Sequence, residues 1–442
     1  MRPASIYISD GRISAIGEHS DRPSGVREID AGSDVVLPGL VDTHVHINDP
    51  GRADWEGFET ATRAAAAGGI TTLVDMPLNS IPPTTTVDGL EAKRRAATGR
   101  CHVDVGFWGG VVPGNASDLA PLAKAGVLGF KCFLSPSGVD EFSHVSEWDL
   151  RQAMPLLAPL GLPLLAHAEW PGLLCEPDPG ADPRRYSTWL ISRPPEAETA
   201  AIELFARLSH HTRARVHIVH LASANALPAI AEARAAGVPM TVETCPHYLT
   251  FCAEEIPDGA TPFKCAPPIR ERDHRERLWR ALDAGAIDLV ATDHSPAPPP
   301  LKHVEDGDFV AAWGGIASLQ VSLAVMWTGA SQRGLSIDRL AQWMSAAPAQ
   351  LAGLSGRKGA IAVGHDADLT ILNPDEVCRV DAATLYHRHA VTPYDGARLR
   401  GRVRTTLLGG EIIFADGACR GPARGRLLAS HRLDAGHRLD AD

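Results

Sequence analysis

Short runs rich in valine, isoleucine and leucine alternate along most of the chain with longer, alanine-rich stretches. The apolar runs cover residues 35–47, 69–76, 103–111, 128–134, 162–169, 215–223, 238–249 and 287–295. Nearly continuous apolar runs of this length are typical of parallel strands that are buried on both faces. Eight strand–helix units in succession predict an α/β fold, a TIM-like (β/α)8 barrel whose active site lies at the carboxyl ends of the strands.

The stretches between the apolar runs carry helix signals, including an apolar stripe or a glycine just after the last turn. Helices are predicted over residues 56–67, 195–208, 226–236, 272–284, 316–328 and 337–354. The main alternative to a barrel is a doubly wound open sheet, which needs a glycine-rich phosphate loop after its first strand. No such loop follows the first apolar run, so the barrel is favoured.

Strand signals also occur before and after the barrel segment. Residues 6–17 read as a β-hairpin that turns at Asp10-Gly11, and residues 403–414 read as two strands around Gly409-Gly410. A small β-sandwich domain assembled from both chain ends explains this pattern. The predicted division is 1–36 and 359–425 for the small domain, 37–358 for the barrel and 426–442 for a mobile tail.

Composition narrows the class of protein. The 442 residues carry a net charge of −11, and no basic block suggests contact with a nucleic-acid backbone. No apolar run reaches 18 residues, and no signal core precedes the first strand, so we expect a cytoplasmic protein without a membrane span. The eight cysteines are scattered without a C-x-x-C pair, which favours reduced thiols over disulfides or a zinc knuckle.

Polar residues with metal-binding chemistry stand at the ends of five predicted strands. His44 and His46 lie two residues apart, which places both imidazoles on one face of a strand. A lysine in a barrel interior is costly to bury as an ammonium ion, so Lys131 needs a special partner there. The sequence therefore predicts a metal site at the carboxyl ends of the strands, formed by His44, His46, Lys131, His167, His220 and Asp293.

Three further histidines lie close to these candidates in sequence. His217 is three residues before His220, so regular strand alternation predicts that it faces the helices outside the barrel. His294 should point away from the metal site because it follows Asp293. His247 is a candidate for supporting the site from behind.

These residues carry a resemblance to the amidohydrolase superfamily, in the cyclic amidase branch that contains dihydroorotases, hydantoinases and allantoinases. Within that branch the chain is most similar to bacterial allantoinases along nearly its whole length. The stretches that carry this resemblance are 49–57, 75–79, 126–133, 245–248, 264–270, 293–296 and 312–316.

The resemblance implies a binuclear metal centre bridged by Lys131 as N6-carboxylysine, formed with carbon dioxide. It implies that His44 and His46 hold the more buried ion, and that His167 and His220 hold the more exposed one. Imidazole ligands favour zinc, cobalt or manganese over magnesium, and zinc is the expected ion, with cobalt and manganese as alternatives. A metal-bound hydroxide would attack the ring carbonyl, with Asp293 as general base and then acid.

The substrate implied by the resemblance is allantoin, which would be hydrolysed to allantoate in purine catabolism, and a homotetramer is the implied assembly. Asn48 stands where the dihydroorotase pattern has an arginine, so a bidentate clamp for a carboxylate is missing. Asn48, Asn79 and Ser295 are candidate partners for the neutral ureido arm. The alternatives are a hydantoinase or dihydropyrimidinase, a dihydroorotase, and a non-catalytic scaffold on the same fold.

Overall fold

The computed structural model describes residues 2–21 and 25–430. Its strands are β1 Ser5–Ser9, β2 Arg12–Gly17, β3 Val35–Pro38, β4 Leu40–Val45, β5 Ile70–Asp75, β6 Asp104–Phe107, β7 Gly109–Gly110, β8 Phe130–Phe133, β9 Leu164–His167, β10 Val216–Ile218, β11 Met240–Thr244, β12 Leu289–Val290, β13 Leu369–Arg379, β14 Arg398–Leu408, β15 Glu411–Ala415 and β16 Ala418–Cys419.

The α-helices follow the predicted alternation closely. They are α1 Phe58–Ala67, α2 Val87–Ala97, α3 Leu119–Lys124, α4 Glu147–Leu157, α5 Tyr186–Ser192, α6 Pro195–Thr212, α7 Leu227–Ala235, α8 Pro246–Thr250, α9 Arg272–Asp283, α10 Ser322–Gln332, α11 Asp338–Ala341 and α12 Ala347–Leu351. The predicted helix over 316–328 begins later, because Ile316 still forms a parallel bridge with His294.

The eight predicted barrel strands form a closed parallel barrel. β4, β5 and β6 pair in that order, and β7 to β12 pair in the order of the chain. The two groups join because β6 and β7 are one strand interrupted at Trp108. A parallel bridge between Val45 and His294 closes the barrel between its last and first strands. The predicted TIM-like barrel is confirmed.

The first apolar run, 35–47, divides between the two domains at Gly39. Strand β3 pairs antiparallel with β13 in the small domain, whereas β4 enters the barrel. A Cβ at Gly39 would lie 2.3 Å from the hydroxyl oxygen of Thr71, so only glycine fits at this crossing point. The barrel therefore begins at Leu40, slightly later than the predicted boundary at residue 37.

The small domain combines strands from both ends of the chain. Its five-stranded sheet has the order β16-β15-β14-β13-β3, and the hairpin β1-β2 packs against it. Ile13 on the hairpin shares an apolar cluster with Leu369, Ile371 and Leu407 of the sheet. The prediction of a β-sandwich built from both chain ends is confirmed.

The segment after the small domain returns to the barrel. Residues 425–430 run beside β6, where the Val105 amide donates to the Arg426 carbonyl and the Leu428 amide donates to the Val105 carbonyl. Leu428 is buried. The predicted mobile tail was therefore placed too early at residue 426, and residues 431–442 lie outside the described residues.

Two layers of apolar side chains hold the barrel together. Residues such as Leu164 and Val216 face the helices, and the alternate positions Val41 and Leu165 fill the barrel interior. Within the described ranges, every helix falls short of the length and apolar character that a membrane span requires.

Candidate active site

The strand ends bring the predicted metal-binding side chains to one cavity of about 260 Å³. His44 lies on β4 and His46 just beyond it, His167 is the last residue of β9, and His220 and Asp293 follow β10 and β12. These five side chains line the cavity. Lys131 on β8 is fully buried. The structure therefore places all six predicted residues at the same end of the barrel.

His44, His46 and Asp293 form one corner of the cavity. The Nε2 atoms of His44 and His46 lie 3.2 Å and 3.3 Å from Oδ1 of Asp293. Burial lowers the pKa of His46 to about 4, although the Asp293 carboxylate opposes the shift. Burial alone would raise the pKa of Asp293, but His44 and His46 outweigh this effect and hold it well below its usual range. An anionic oxygen thus faces two imidazole nitrogens, a donor set that suits a divalent cation.

His167 and His220 form a second corner, in which the His220 ring centre lies 5.3 Å from that of His44. Nδ1 of His167 lies 3.0 Å from Nε2 of His220, and burial lowers the pKa of both rings. His220 has a φ of 41°, which turns its ring toward His167 after β10 has ended. Neutral imidazoles offer nitrogen lone pairs, so this pair also has the form that binds metal ions.

Lys131 has no hydrogen-bond partner for its Nζ atom among the described residues. Burial lowers the pKa of this amine to about 8, and Asp293 and Glu243 oppose the shift only in part. The amine lies 4.7 Å from the centre of the Phe133 ring. A buried amine without a partner is costly unless it is neutral or chemically modified.

Two carboxylates that sequence reasoning did not identify hold the histidines in place. Nδ1 of His44 lies 2.5 Å from Oε1 of Glu243, and Nε2 of His167 lies 2.6 Å from Oε2 of Glu169. Arg193 donates two hydrogen bonds to Glu169. Histidines that bind metals usually donate their second N–H in this way, which fixes the tautomer and the ring orientation. The sequence signal that could have identified both residues is a glutamate within an apolar run predicted to be a strand.

His217 does not face the helices, and that expectation was wrong. It pairs in register with the interior residue Leu165, and its Nε2 atom lies 2.9 Å from Oε2 of Glu243. Regular alternation ends with β10 at Ile218, so His217 and His220 both point inward. Glu243 is therefore held between His44 and His217.

We expect Glu243→Gln to weaken metal binding by about 10- to 100-fold. The glutamine side chain is neutral, so it cannot replace the carboxylate that accepts hydrogen bonds from both His44 and His217. The His44 ring then loses its fixed orientation. Competition with a chelator measures the affinity. Glu198→Gln is the matched control, because Glu198 is an equally buried carboxylate that pairs with Arg270 instead. Equal affinities in the two variants would contradict the role of Glu243.

The three candidate substrate-binding residues differ in their placement. Asn79 and Ser295 line the cavity, and the Ser295 hydroxyl donates to Oδ1 of Asp293 at 2.9 Å. The buried Oδ1 atom of Asn79 has no partner among the described residues. Asn48 is not among the residues that line the cavity, and its amide nitrogen lies 3.5 Å from the Pro296 carbonyl.

The other two histidines are buried near the site. His294 accepts hydrogen bonds from the amides of Ser318 and Leu319 at its Nδ1 atom and lies 3.2 Å from Glu56 at Nε2, so it points away from the cavity as expected. His247 is buried, and burial lowers its pKa to about 4. Its supporting role stays a prediction.

Residues that the sequence did not single out as site candidates complete the cavity wall. Trp189, Arg193, Lys264 and residues 311–315 also line the cavity. Each belongs to a loop or helix that is distant in sequence from the histidines, so only the closed barrel brings it to the site.

Comparisons with known proteins agree with this geometry. The family model described as Amidohydrolase family matches residues 35–172 and 193–413. A protein named allantoinase from Streptomyces avermitilis is 54% identical over 429 residues, covering 97% of this chain and 95% of that protein. The allantoinase of Arabidopsis thaliana is 46% identical and covers 96% of this chain and 87% of that protein.

Solved structures show the same architecture at lower identity. An L-hydantoinase (dihydropyrimidinase) from Arthrobacter aurescens has a TM-score of 0.90 at 32% identity, covering 97% of this chain and 96% of that chain. A D-hydantoinase from Thermus sp. has a TM-score of 0.86 at 29% identity, with the same coverage of both chains. This chain is therefore a member of the amidohydrolase family, in the branch that includes the allantoinases and hydantoinases.

Proposed function

We propose that the protein hydrolyses the ring amide of allantoin to give allantoate. The observation that carries the proposal is the convergence of five polar cavity-lining residues and the buried Lys131 at one barrel mouth. Relatives named allantoinase reach 54% identity over nearly the whole chain, whereas the solved hydantoinases described above reach 32%. This difference favours allantoin over hydantoin as the substrate.

The residues present fit a binuclear metal centre. The buried amine of Lys131 has no hydrogen-bond partner within residues 2–21 and 25–430, and a carbamate formed on it with carbon dioxide would turn that unfavourable group into an anionic ligand with two oxygens. We propose that the modified Lys131 would hold two divalent ions together with His44 and His46 on one side and His167 and His220 on the other. Two such ions carry +4, which the carbamate and Asp293 offset in part.

Bound divalent ions supply an activated water at neutral pH and polarise a carbonyl group. Asp293 accepts the proton of the attacking water and returns it to the departing ring nitrogen, as general base and then general acid. The water oxygen adds to the ring carbonyl carbon and the ring C–N bond breaks, which gives a carboxylate and an N–H group; the second proton of the water is released to solvent. Ser295 fixes the Asp293 carboxylate through Oδ1 for this proton transfer.

Asn79 and Ser295 are the proposed partners of the substrate within the cavity. Allantoin is neutral and carries a ureido arm with N–H donors and carbonyl acceptors. Asn79 offers an amide whose oxygen has no partner in the part of the chain that the structure describes, and Ser295 offers a hydroxyl beside Asp293. The cavity volume of about 260 Å³ suits a small ring with one short arm.

The test of the proposed reaction is a comparison of substrates with purified, metal-loaded protein. We expect allantoin to be hydrolysed to allantoate with a kcat/KM at least tenfold above those for hydantoin, dihydrouracil and dihydroorotate. Chromatography of the products checks which bond is cleaved. Preference for hydantoin or dihydrouracil would favour the second candidate, a hydantoinase, and no turnover of any ring would favour a scaffold.

Three finer points belong to the same proposal. We propose zinc as the native ion, a homotetramer as the assembly and the cytoplasm as the location. Metal analysis of protein purified without added metal tests the choice of ion. Size-exclusion chromatography with light-scattering detection tests the assembly. Cell fractionation tests the location.

A further inference from the structure

Residues 310–315, which we call the wall segment, form one side of the candidate active site. Residues 311–315 of this segment line the cavity together with Asp293 and Ser295. The Trp313 ring packs edge-on against Trp55 at 4.9 Å. A Cβ at Gly138 would lie only 3.1 Å from the Trp313 ring, so the wall segment is tightly enclosed by neighbouring loops. A small shift of its backbone would therefore change the shape of the cavity.

Lys264 binds the first half of the wall segment. Its Nζ atom donates to the carbonyls of Val310 at 3.0 Å and Ala312 at 2.5 Å. The same nitrogen lies 4.2 Å from the centre of the Trp189 ring. The backbone carbonyl of Lys264 also accepts from the Gly315 amide at 2.8 Å. One residue thus holds the segment through both its side chain and its backbone.

Lys302 binds the second half. Its Nζ atom donates to the carbonyls of Trp313 at 2.9 Å and Gly315 at 2.7 Å. Lys302 is 2% exposed and Lys264 is 4% exposed. Two lysines from different parts of the chain therefore direct their amino groups at four carbonyls of one six-residue segment.

Neither lysine has the partner that buried lysines normally have. Among the described residues, no carboxylate forms a salt bridge with either amino group, whereas the buried Lys93 pairs with Asp75 and Lys358 pairs with Asp368. Burial lowers the pKa of Lys302 to about 7 and that of Lys264 to about 8. Burying two amino groups without counter-ions is expensive, and apolar side chains of similar size would avoid that cost.

We propose that Lys264 and Lys302 are positioning residues that fix the wall segment, and through it the shape of the substrate cavity. The inference rests on the proposed hydrolysis of a small cyclic amide at this site. By engaging the carbonyls of Val310, Ala312, Trp313 and Gly315, the two lysines fix the backbone orientation of the wall segment. The substrate then meets a preformed surface, and a displacement of about 1 Å at such a surface can cost on the order of 100-fold in rate.

The test is Lys302→Met, which keeps an apolar side chain of similar length and removes the donor. We expect amide hydrogen exchange in peptides covering residues 308–318 to become about tenfold faster, because the carbonyls of Trp313 and Gly315 lose the Lys302 donor. We expect KM for allantoin to rise by about 5- to 50-fold with less than a threefold change in kcat. Metal content should equal that of the parent protein.

Thr370→Val is the matched control. The buried Thr370 hydroxyl also donates to a backbone carbonyl, that of Gly69, but at the boundary of the small domain. We expect this variant to have a lower melting temperature than the parent protein. Its KM and its amide hydrogen exchange in residues 308–318 should equal those of the parent. Lys264→Met provides the same test at the other half of the segment if Lys302→Met does not fold.

The outcomes separate this inference from the proposed reaction. Parental exchange and parental KM in both lysine variants would overturn the positioning role, and so would a loss of metal with unchanged exchange. The two results can also differ: amide exchange is faster in the lysine variants, but the parent protein hydrolyses a ring other than allantoin. The positioning role then stands, and allantoin is rejected as the substrate.

Discussion

Lys131→Ala is expected to lose most of its bound metal and to lower kcat/KM on the order of 1,000-fold or more, because the activated water depends on that metal. The alanine removes the only proposed ligand that contacts both ions. Four imidazoles and one carboxylate would remain, and together they balance the charge of two divalent cations less well. Molecules that lack even one of the two ions would already lack the activated water.

Three measurements check this prediction. Metal analysis gives the number of ions per chain, and kinetics gives kcat/KM. A carbon-13 NMR spectrum after growth or reconstitution with labelled bicarbonate should show a carbamate signal in the parent that is absent in the variant. The pKa of about 8 for the buried amine favours this modification, since only the neutral amine reacts with carbon dioxide.

Addition of a small carboxylate provides the matched control for Lys131→Ala. Acetate or propionate can enter the space left by the lysine side chain and supply two oxygens where the carbamate would lie. We expect it to restore part of the metal content and activity of the variant and to leave the parent unchanged. Full metal content and full activity in untreated Lys131→Ala would show that the carbamate assignment is wrong.

The fold was predictable because its signals are local and repeated. Each barrel strand is an apolar run, and the glycines that follow helices such as α1, α7 and α9 mark their ends. The order of the units then leaves few ways to bury the strands on both faces. The division of the first apolar run was predicted at residue 37 and lies at Gly39, because it depends on the contact of that glycine with Thr71 across two strands.

The candidate metal ligands were predictable for a related reason. Parallel strands in a closed barrel all end on the same side, so polar residues at several strand ends must converge. This argument needs neither the strand register nor the side-chain rotamers. It therefore placed Lys131, His167 and Asp293 in one region from sequence position alone.

The supporting residues could not be predicted in this way. Glu243 reaches His44 from a strand that is 199 residues away, and the contact depends on the stagger of the strands around the barrel. The orientation of His217 depends on where β10 stops and on the positive φ of His220, which alternation rules do not describe. The roles of Lys264 and Lys302 depend on loop conformations that have no repeating pattern.

Asp293→Asn is expected to retain much of its metal but to lower kcat by about 100- to 10,000-fold, the range for removal of a general acid–base group. The asparagine oxygen still faces His44 and His46, so the corner of the cavity keeps its shape and one neutral ligand atom. It can no longer take a proton from the attacking water, because a neutral amide is a very weak base. KM should change much less than kcat, since asparagine has the same size as aspartate and the other cavity-lining residues are unchanged.

Ser295→Ala separates proton transfer from the local geometry. Its hydroxyl donates to Oδ1 of Asp293 at 2.9 Å, so its loss leaves the carboxylate in place but less firmly oriented. We expect a decrease in kcat of less than about tenfold, with parental metal content. If Asp293→Asn lost no more activity than Ser295→Ala while holding the same metal, Asp293 would act only as a ligand, and another group would have to move the proton. His247 would then be the first residue to test, because it is buried beside the site and the structure describes no hydrogen bond to its ring nitrogens.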